Sequence, residues 1–321
     1  MLTYWKSLMQ LLLDIVIPVF LLMVLGWWSS RSGLLEESSA SALNRYVFYI
    51  AVPALMFTST VSVDIQTILH WDFIAVYLGG CIIAIMIAFL CWRRLKLDTP
   101  LDWTVIALNS AWANTVYMGV PIFYFLFGDR GTLPVIIATL TSNLTFILFL
   151  ALMSELQNGD GGVLEKVKTL VVQSLLKNPI MMAPLLGMLV SFSGFSLPAA
   201  FITPMNMLAP SAAPVALFAL GMSLSGLKVQ RAGFDLAWLS LIKLIIHPLA
   251  TWSLALLLDL DPYWTASAVL LSSLPTGAMV YVLAQQYNTR VTLSSATIMV
   301  TTVFSVITLA FLLPMLKQLV D

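Results

Sequence analysis

Apolar residues run along this chain in blocks of about 20, each closed by turn formers or charge. At 1.5 Å per residue, one block crosses roughly 30 Å of hydrocarbon. The pattern predicts ten membrane-spanning helices, near 9–29, 42–62, 72–92, 103–127, 133–153, 179–197, 204–225, 236–258, 263–285 and 293–316. The run from Leu11 to Trp28 follows Lys6. It is longer than the apolar core of a secretory signal, and no small-x-small cleavage site follows, so it reads as a retained first helix.

Composition fits that picture. Of 321 residues, 60% are hydrophobic and 9% charged, whereas soluble domains carry about a quarter charged residues. The surplus apolar surface needs a bilayer as its solvent. Net charge is zero, with no basic stripe, which excludes nucleic acid as a partner. Cys81 and Cys91 lack a C-x-x-C spacing and read as packing residues. No H-E-x-x-H, G-x-S-x-G or P-loop is present, so neither an enzyme nor a cofactor or metal site is expected.

Charge also sets orientation. Arg31, Arg45, Arg93, Arg94, Lys96, Lys166, Lys168, Lys177, Lys228, Arg231 and Arg290 fall on one side of the ten-helix pattern; Lys6, Arg130 and Lys317 fall on the other. This bias of eleven to three predicts an inner-membrane protein with both termini extracytoplasmic. The longest polar stretch, 154–177, begins with a flexible Asn158-Gly159-Asp160-Gly161-Gly162 turn and continues as a short surface helix over 163–177. It divides the chain into five helices in 1–153 and five in 178–321. The halves are weakly alike: Ala51-Val52-Pro53-Ala54-Leu55-Met56-Phe57 matches Ala212-Ala213-Pro214-Val215-Ala216-Leu217-Phe218. An odd number of helices per half makes the copies inverted, the plan of alternating-access carriers.

The chemistry concentrates in two interrupted segments. The fourth holds Asn114-Thr115-Val116-Tyr117-Met118-Gly119-Val120-Pro121, and the ninth holds Ser272-Ser273-Leu274-Pro275-Thr276-Gly277. Proline removes a backbone donor and clashes with the carbonyl four residues back. Unwound backbone in hydrocarbon persists only where protein or water lines it. Ordinary proline kinks are the alternative. The pairing of two such breaks at matching positions instead favours a binding site where half-helix N-termini face an anion.

At these residues the sequence resembles the auxin efflux carrier family, through the Asn-Thr-x-Tyr-Met-Gly-x-Pro stretch at 114–121 and through Pro275-Thr276 with Tyr281-Val282-Leu283-Ala284 and Tyr287. The loop at 154–177 is shorter than that of many plant members. The resemblance implies a fold of bile-acid/sodium-symporter type. Helices 1, 2, 6 and 7 would form a scaffold, the other six a transport domain, and the broken helices 4 and 9 would cross inside it. It implies dimerisation through the scaffold and a carboxylate substrate such as malonate, malate or an auxin-like acid. It places Asn114, Pro121 and Pro275 at the crossover.

The expected substrate contacts are therefore Asn114, Thr115, Tyr117, Gly119, Pro121, Ser273, Pro275, Thr276 and Gly277, with an apolar wall around Pro53 and Pro214. Asn143 in the fifth segment either lines the cavity or ties helices together. Lys243 lies about 8 residues, or ~12 Å, into the eighth segment, with His247 one turn on. It is either a snorkelling lysine or a charge that braces the broken helices or replaces a coupling cation. His247 is a packed histidine or a proton-coupling group, and Asp14 is an interfacial or transport-linked carboxylate. The fold class expected is an all-α membrane protein of two inverted five-helix repeats, working as a secondary carrier of a small organic anion. A sodium-coupled symporter on the same fold and a non-transporting receptor are the alternatives.

Overall fold

A computed structural model describes residues 17–61, 70–158, 177–195, 197–226 and 233–320. Asp14 and residues 159–176 of the predicted 154–177 linker lie outside these residues. The described residues are mostly helical, with no strand among them. In chain order the helices are α1 (Ile17–Arg31), α2 (Glu37–Tyr46), α3 (Val52–Val61), α4 (Trp71–Phe89), α5 (Trp92–Leu95), α6 (Pro100–Ala111), α7 (Val120–Phe127) and α8 (Thr132–Asn158). There follow α9 (Pro179–Ser193), α10 (Ala199–Leu208), α11 (Ala212–Ser225), α12 (Phe234–Leu241), α13 (His247–Leu257), α14 (Pro262–Ser273), α15 (Met279–Gln286) and α16 (Val291–Val320). Among the described residues, six helical stretches are long and apolar enough to cross a bilayer: Ser38–Val61, Trp71–Phe89, Thr132–Ser154, Ala199–Ser225, Phe234–Leu257 and Val291–Val320. Ile17–Arg31, Thr115–Phe127 and Pro179–Ser193 are apolar but shorter.

Proline shapes these helices in a repeated way. Wide π-helical turns occupy Val47–Ala51, Thr115–Gly119 and Ile242–Ile246. Each ends two residues before a proline, at Pro53, Pro121 and Pro248 respectively. A proline ring crowds the carbonyl four residues back and offers it no N–H. Widening the preceding turn relieves the crowding without ending the helix.

The chain forms two compact units. Unit 1 comprises Met1–His70, Thr115–Leu140 and Gln173–Gly226; unit 2 comprises Trp71–Asn114, Thr141–Val172 and Leu227–Asp321. Within unit 1, α1 packs on α11 and α3 on α9. Glycines set both distances. A Cβ on Gly26 would lie 2.0 Å from the Phe218 carbonyl oxygen, and one on Gly221 would lie 1.9 Å from that of Met23. A Cβ on Gly187 would meet Thr60 Oγ1 at 2.0 Å. Apolar segments in lipid gain little from hiding apolar area from one another, so close backbone approach through small residues is what binds them.

Within unit 2, α4 packs on α13 and α14, and α14 packs on α16. Gly80 admits Thr251, whose Oγ1 would sit 2.1 Å from a Cβ there. One end of the unit is closed by a polar clip. Thr99 caps α6 through a reciprocal capping box with Asp102. Arg290 Nε donates to Asp102 Oδ1 at 2.7 Å, and its Nη2 donates to the Lys96 carbonyl at 2.5 Å. Asp235 Oδ2 lies 4.0 Å from Arg290 Nη1. Lys96 and Arg290 both adopt left-handed backbone, with φ of 50° and 52°. That conformation is unfavourable for residues with a Cβ, so tertiary contacts must hold it.

Asp102 precedes the fourth apolar segment and lies outside the span. Partial burial pushes its carboxyl pKa up. The hydrogen bond and charge of Arg290, with the Thr99 hydroxyl and amide, outweigh that and hold the group below the usual carboxylate range. The stability this supplies is fully present above the unfolded carboxylate value of about 4. It is lost as pH falls through the lower folded value. Asp102→Asn is expected to lower stability at pH 7 by about 1 kcal/mol and to flatten the acid limb. Thermal midpoints of purified protein between pH 3 and pH 7 check this; a variant with an unchanged acid limb rules the clip out as its source.

Candidate functional site

In unit 2 the two interruptions meet. Helix α6 stops at Ala111, and Trp112 turns to extended backbone at φ −75° and ψ 106°. Helix α14 stops at Ser273, and Leu274 is likewise extended at φ −62° and ψ 150°. The extended pieces pair antiparallel through Ala113 and Thr276. Asn114 N–H donates to the Pro275 carbonyl at 2.8 Å, and Gly277 N–H donates to the Trp112 carbonyl at 2.9 Å. Each break thus satisfies backbone groups freed by the other, which is how unwound backbone survives at membrane depth. Gly277 matters here, because a Cβ would come within 3.1 Å of the Ala113 carbonyl.

Side chains complete the crossing. Thr276 Oγ1 donates to the Asn109 carbonyl at 2.8 Å, and Thr276 N–H donates to Thr301 Oγ1 at 3.2 Å. Asn109 Nδ2 donates to Ser294 Oγ at 3.0 Å. The Oδ1 of Asn109 is buried with no hydrogen-bond partner among the described residues. Ser273 turns its hydroxyl back to the Leu270 carbonyl at 2.7 Å. Trp112 stacks on Phe146 of α8 at 5.1 Å. Pro275, Thr276, Gly277 and Asn114 are all buried.

Lys243 is fully buried, and its Nζ donates to the Ser272 carbonyl at 2.6 Å. That carbonyl belongs to the last turn of α14, where helix carbonyls have no partner of their own. A cation there also offsets the negative end of the helix dipole. The same ammonium lies 3.1 Å from His247 Nδ1, and His247 Nε2 lies 3.5 Å from Cys81 Sγ. With the ammonium donating, Nδ1 is the acceptor and Nε2–H points at the sulfur.

The remaining predicted residues lie elsewhere. Thr115, Tyr117, Gly119 and Pro121 belong to unit 1, with the turn Thr115–Gly119 and α7 packed on α11, the helix that carries Pro214. Thr139 Oγ1 donates to Thr115 Oγ1 at 2.8 Å. Pro53 is the second residue of α3 in the same unit. Asn143 is half-buried on α8 in unit 2. Sequence reasoning did not single out Asn109, Thr301 or Ser294. Their only signal was polar residues in otherwise apolar spans.

The family described as Membrane transport protein matches residues 11–313. A Rhizobium meliloti protein named "Putative malonate transporter" is 28% identical over 306 residues, covering 95% of each chain. An Escherichia coli K12 protein named "Uncharacterized transporter YfdV" is 25% identical over 300 residues, covering 91% of this chain and 94% of its own. The Arabidopsis thaliana protein named "Auxin efflux carrier component 2" is 29% identical over 140 residues, which is 43% of this chain and 21% of its own.

Proposed function

The chain belongs to the membrane transport protein family, and from that premise we propose that it carries a small organic anion across the bilayer by alternating access. The observation that carries this reading is the backbone pairing of the two breaks through Asn114, Pro275, Trp112 and Gly277. Two helices that stop and restart within one buried polar cluster leave helix ends at the crossing. The N–H groups in the first turn of a helix have no intrahelical partner and carry positive partial charge. Helix α15 begins at Met279, directly after this pairing. A carboxylate is the ligand such ends suit best, and malonate is the probe that a relative's name offers.

The inverted-repeat organisation is part of the same proposal. Matching the first helix with the sixth and the second with the seventh exchanges the pair α1–α11 with the pair α9–α3, and both pairs pack through glycine. The two bonds of the crossing are likewise exchanged by a local two-fold axis. We place the protein in the inner membrane with the side rich in lysine and arginine cytoplasmic, and we take the substrate site to include Asn114, Pro275 and Thr276. The scaffold helices are the proposed surface for a homodimer.

Asn114→Ala keeps the backbone pairing and removes one polar side chain. It is expected to reduce uptake of labelled malonate or a related carboxylate into proteoliposomes by at least tenfold, with the thermal midpoint nearly unchanged. Wild-type flux from the variant would remove Asn114 from the site. Binding of carboxylates without flux at any imposed gradient would replace the carrier with a receptor.

A further inference from the structure

Unit 1 contains a cavity of about 470 Å³ that the crossover does not use. That volume falls within the range of small-molecule sites, roughly 300–1,000 Å³. Its walls include Ser41, Asn44, Arg45, Tyr49, Tyr117 and Ser223. Among the described residues, Arg45 is its one charged lining residue, and no carboxylate lines it. We propose that this cavity is a capture site for the transported carboxylate, with the Arg45 guanidinium as its anchor. The assignment rests on the carrier reading above and adds to it a second site and a cation.

Local structure orients the anchor. Arg45 lies two residues before the π-helical turn Val47–Ala51, which adds one residue to that turn of helix. Val47 and Ala51 are fully buried, while Arg45 and Tyr49 stay exposed. The inserted residue therefore lets one helix hold an apolar packing face and a polar cavity face within two turns. Asn44, the preceding residue of the same helix, is fixed against α11: its Nδ2 donates to Ser223 Oγ at 2.9 Å, and Ser223 donates to the Ala219 carbonyl at 2.9 Å. With its amide nitrogen held, the Asn44 side chain has a set orientation.

A guanidinium presents paired N–H donors that match the two oxygens of a carboxylate. The rings of Phe48, Tyr49 and Tyr117 offer apolar surface for the rest of the ligand. Tyr117 belongs to the turn that follows the first break, so a ligand in this cavity touches the segment that leads to the crossing.

Arg45 is solvent-accessible, so its replacement leaves the fold intact. Uptake of labelled malonate into proteoliposomes is measured for the full chain and for Arg45→Ala, Arg45→Lys and Asn114→Ala. Arg45→Ala is expected to raise KM at least tenfold, about 1.4 kcal/mol of lost affinity, with Vmax within twofold of wild type. Arg45→Lys recovers part of that loss, because it keeps the charge and loses the paired geometry. An unchanged KM in Arg45→Ala, alongside lost flux in Asn114→Ala, overturns the capture site and leaves the carrier reading standing. A fall in Vmax with KM unchanged also overturns it. No wild-type uptake or binding of malonate or any related carboxylate overturns both.

Discussion

Lys243→Met is expected to reduce carboxylate flux in proteoliposomes at least a hundredfold and to destabilise unit 2 by about 2–3 kcal/mol. Methionine nearly fills the volume but donates no hydrogen bond. The Ser272 carbonyl, 2.6 Å from Nζ, would then sit buried and unpartnered at the end of α14. His247 Nδ1 would lose its neighbour as well. Leaving a buried polar group unsatisfied is more damaging than the bond itself is worth. The flux effect should exceed the stability effect, because the last turn of α14 leads directly into Leu274 and the Pro275 carbonyl that receives Asn114 N–H. Counterflow and thermal midpoints of the same preparation test this. If Lys243→Met retains most of its flux, the lysine is a packing residue with a charged tip and the crossing holds itself.

The second large effect concerns unit 1. Gly221→Ala puts a methyl group where the Met23 carbonyl oxygen now lies, at 1.9 Å from the new carbon. Gly26→Ala does the same against Phe218 at 2.0 Å. Helix backbone cannot move aside as a side-chain tip can, so α1 and α11 must separate. The expected loss is about 2–3 kcal/mol for either substitution. The double variant should lose less than the sum, because one separation accommodates both methyl groups. Denaturation of the three variants in detergent reads this out. Strict additivity would mean that the two glycines relax independently and that the shared contact is not what holds the pair together. Gly33, with open space around it, is the control position for crowding, although its φ of 75° adds backbone strain of its own.

Some of this protein was decided by local sequence. Hydropathy over about 20 residues marks where helices can cross a bilayer, because that depends only on the run itself. Pro121 and Pro275, with the glycines and hydroxyls beside them, mark where helix is hard to continue, and proline acts on its own turn and the one before it. The membrane class, the helical content and the two interruptions were legible for that reason. So was Lys243 as an anomaly, since a charge deep in an apolar run has no local explanation.

The rest was decided by contacts across long stretches of chain. Asn114 meets Pro275, Lys243 meets Ser272, and Thr276 meets Asn109 and Thr301. No periodicity in the sequence specifies these partners, because a polar residue in an apolar span announces only that it needs one. The same limit hid Asn109 and Ser294 among ordinary span residues, and it hid Arg45 among the charges that set orientation. Only the tertiary structure sorts Thr115 into one compact unit and its neighbour Asn114 into the other. Local sequence fixed where backbone hydrogen bonds would be lost within a helix, and the fold determined which distant groups replaced them.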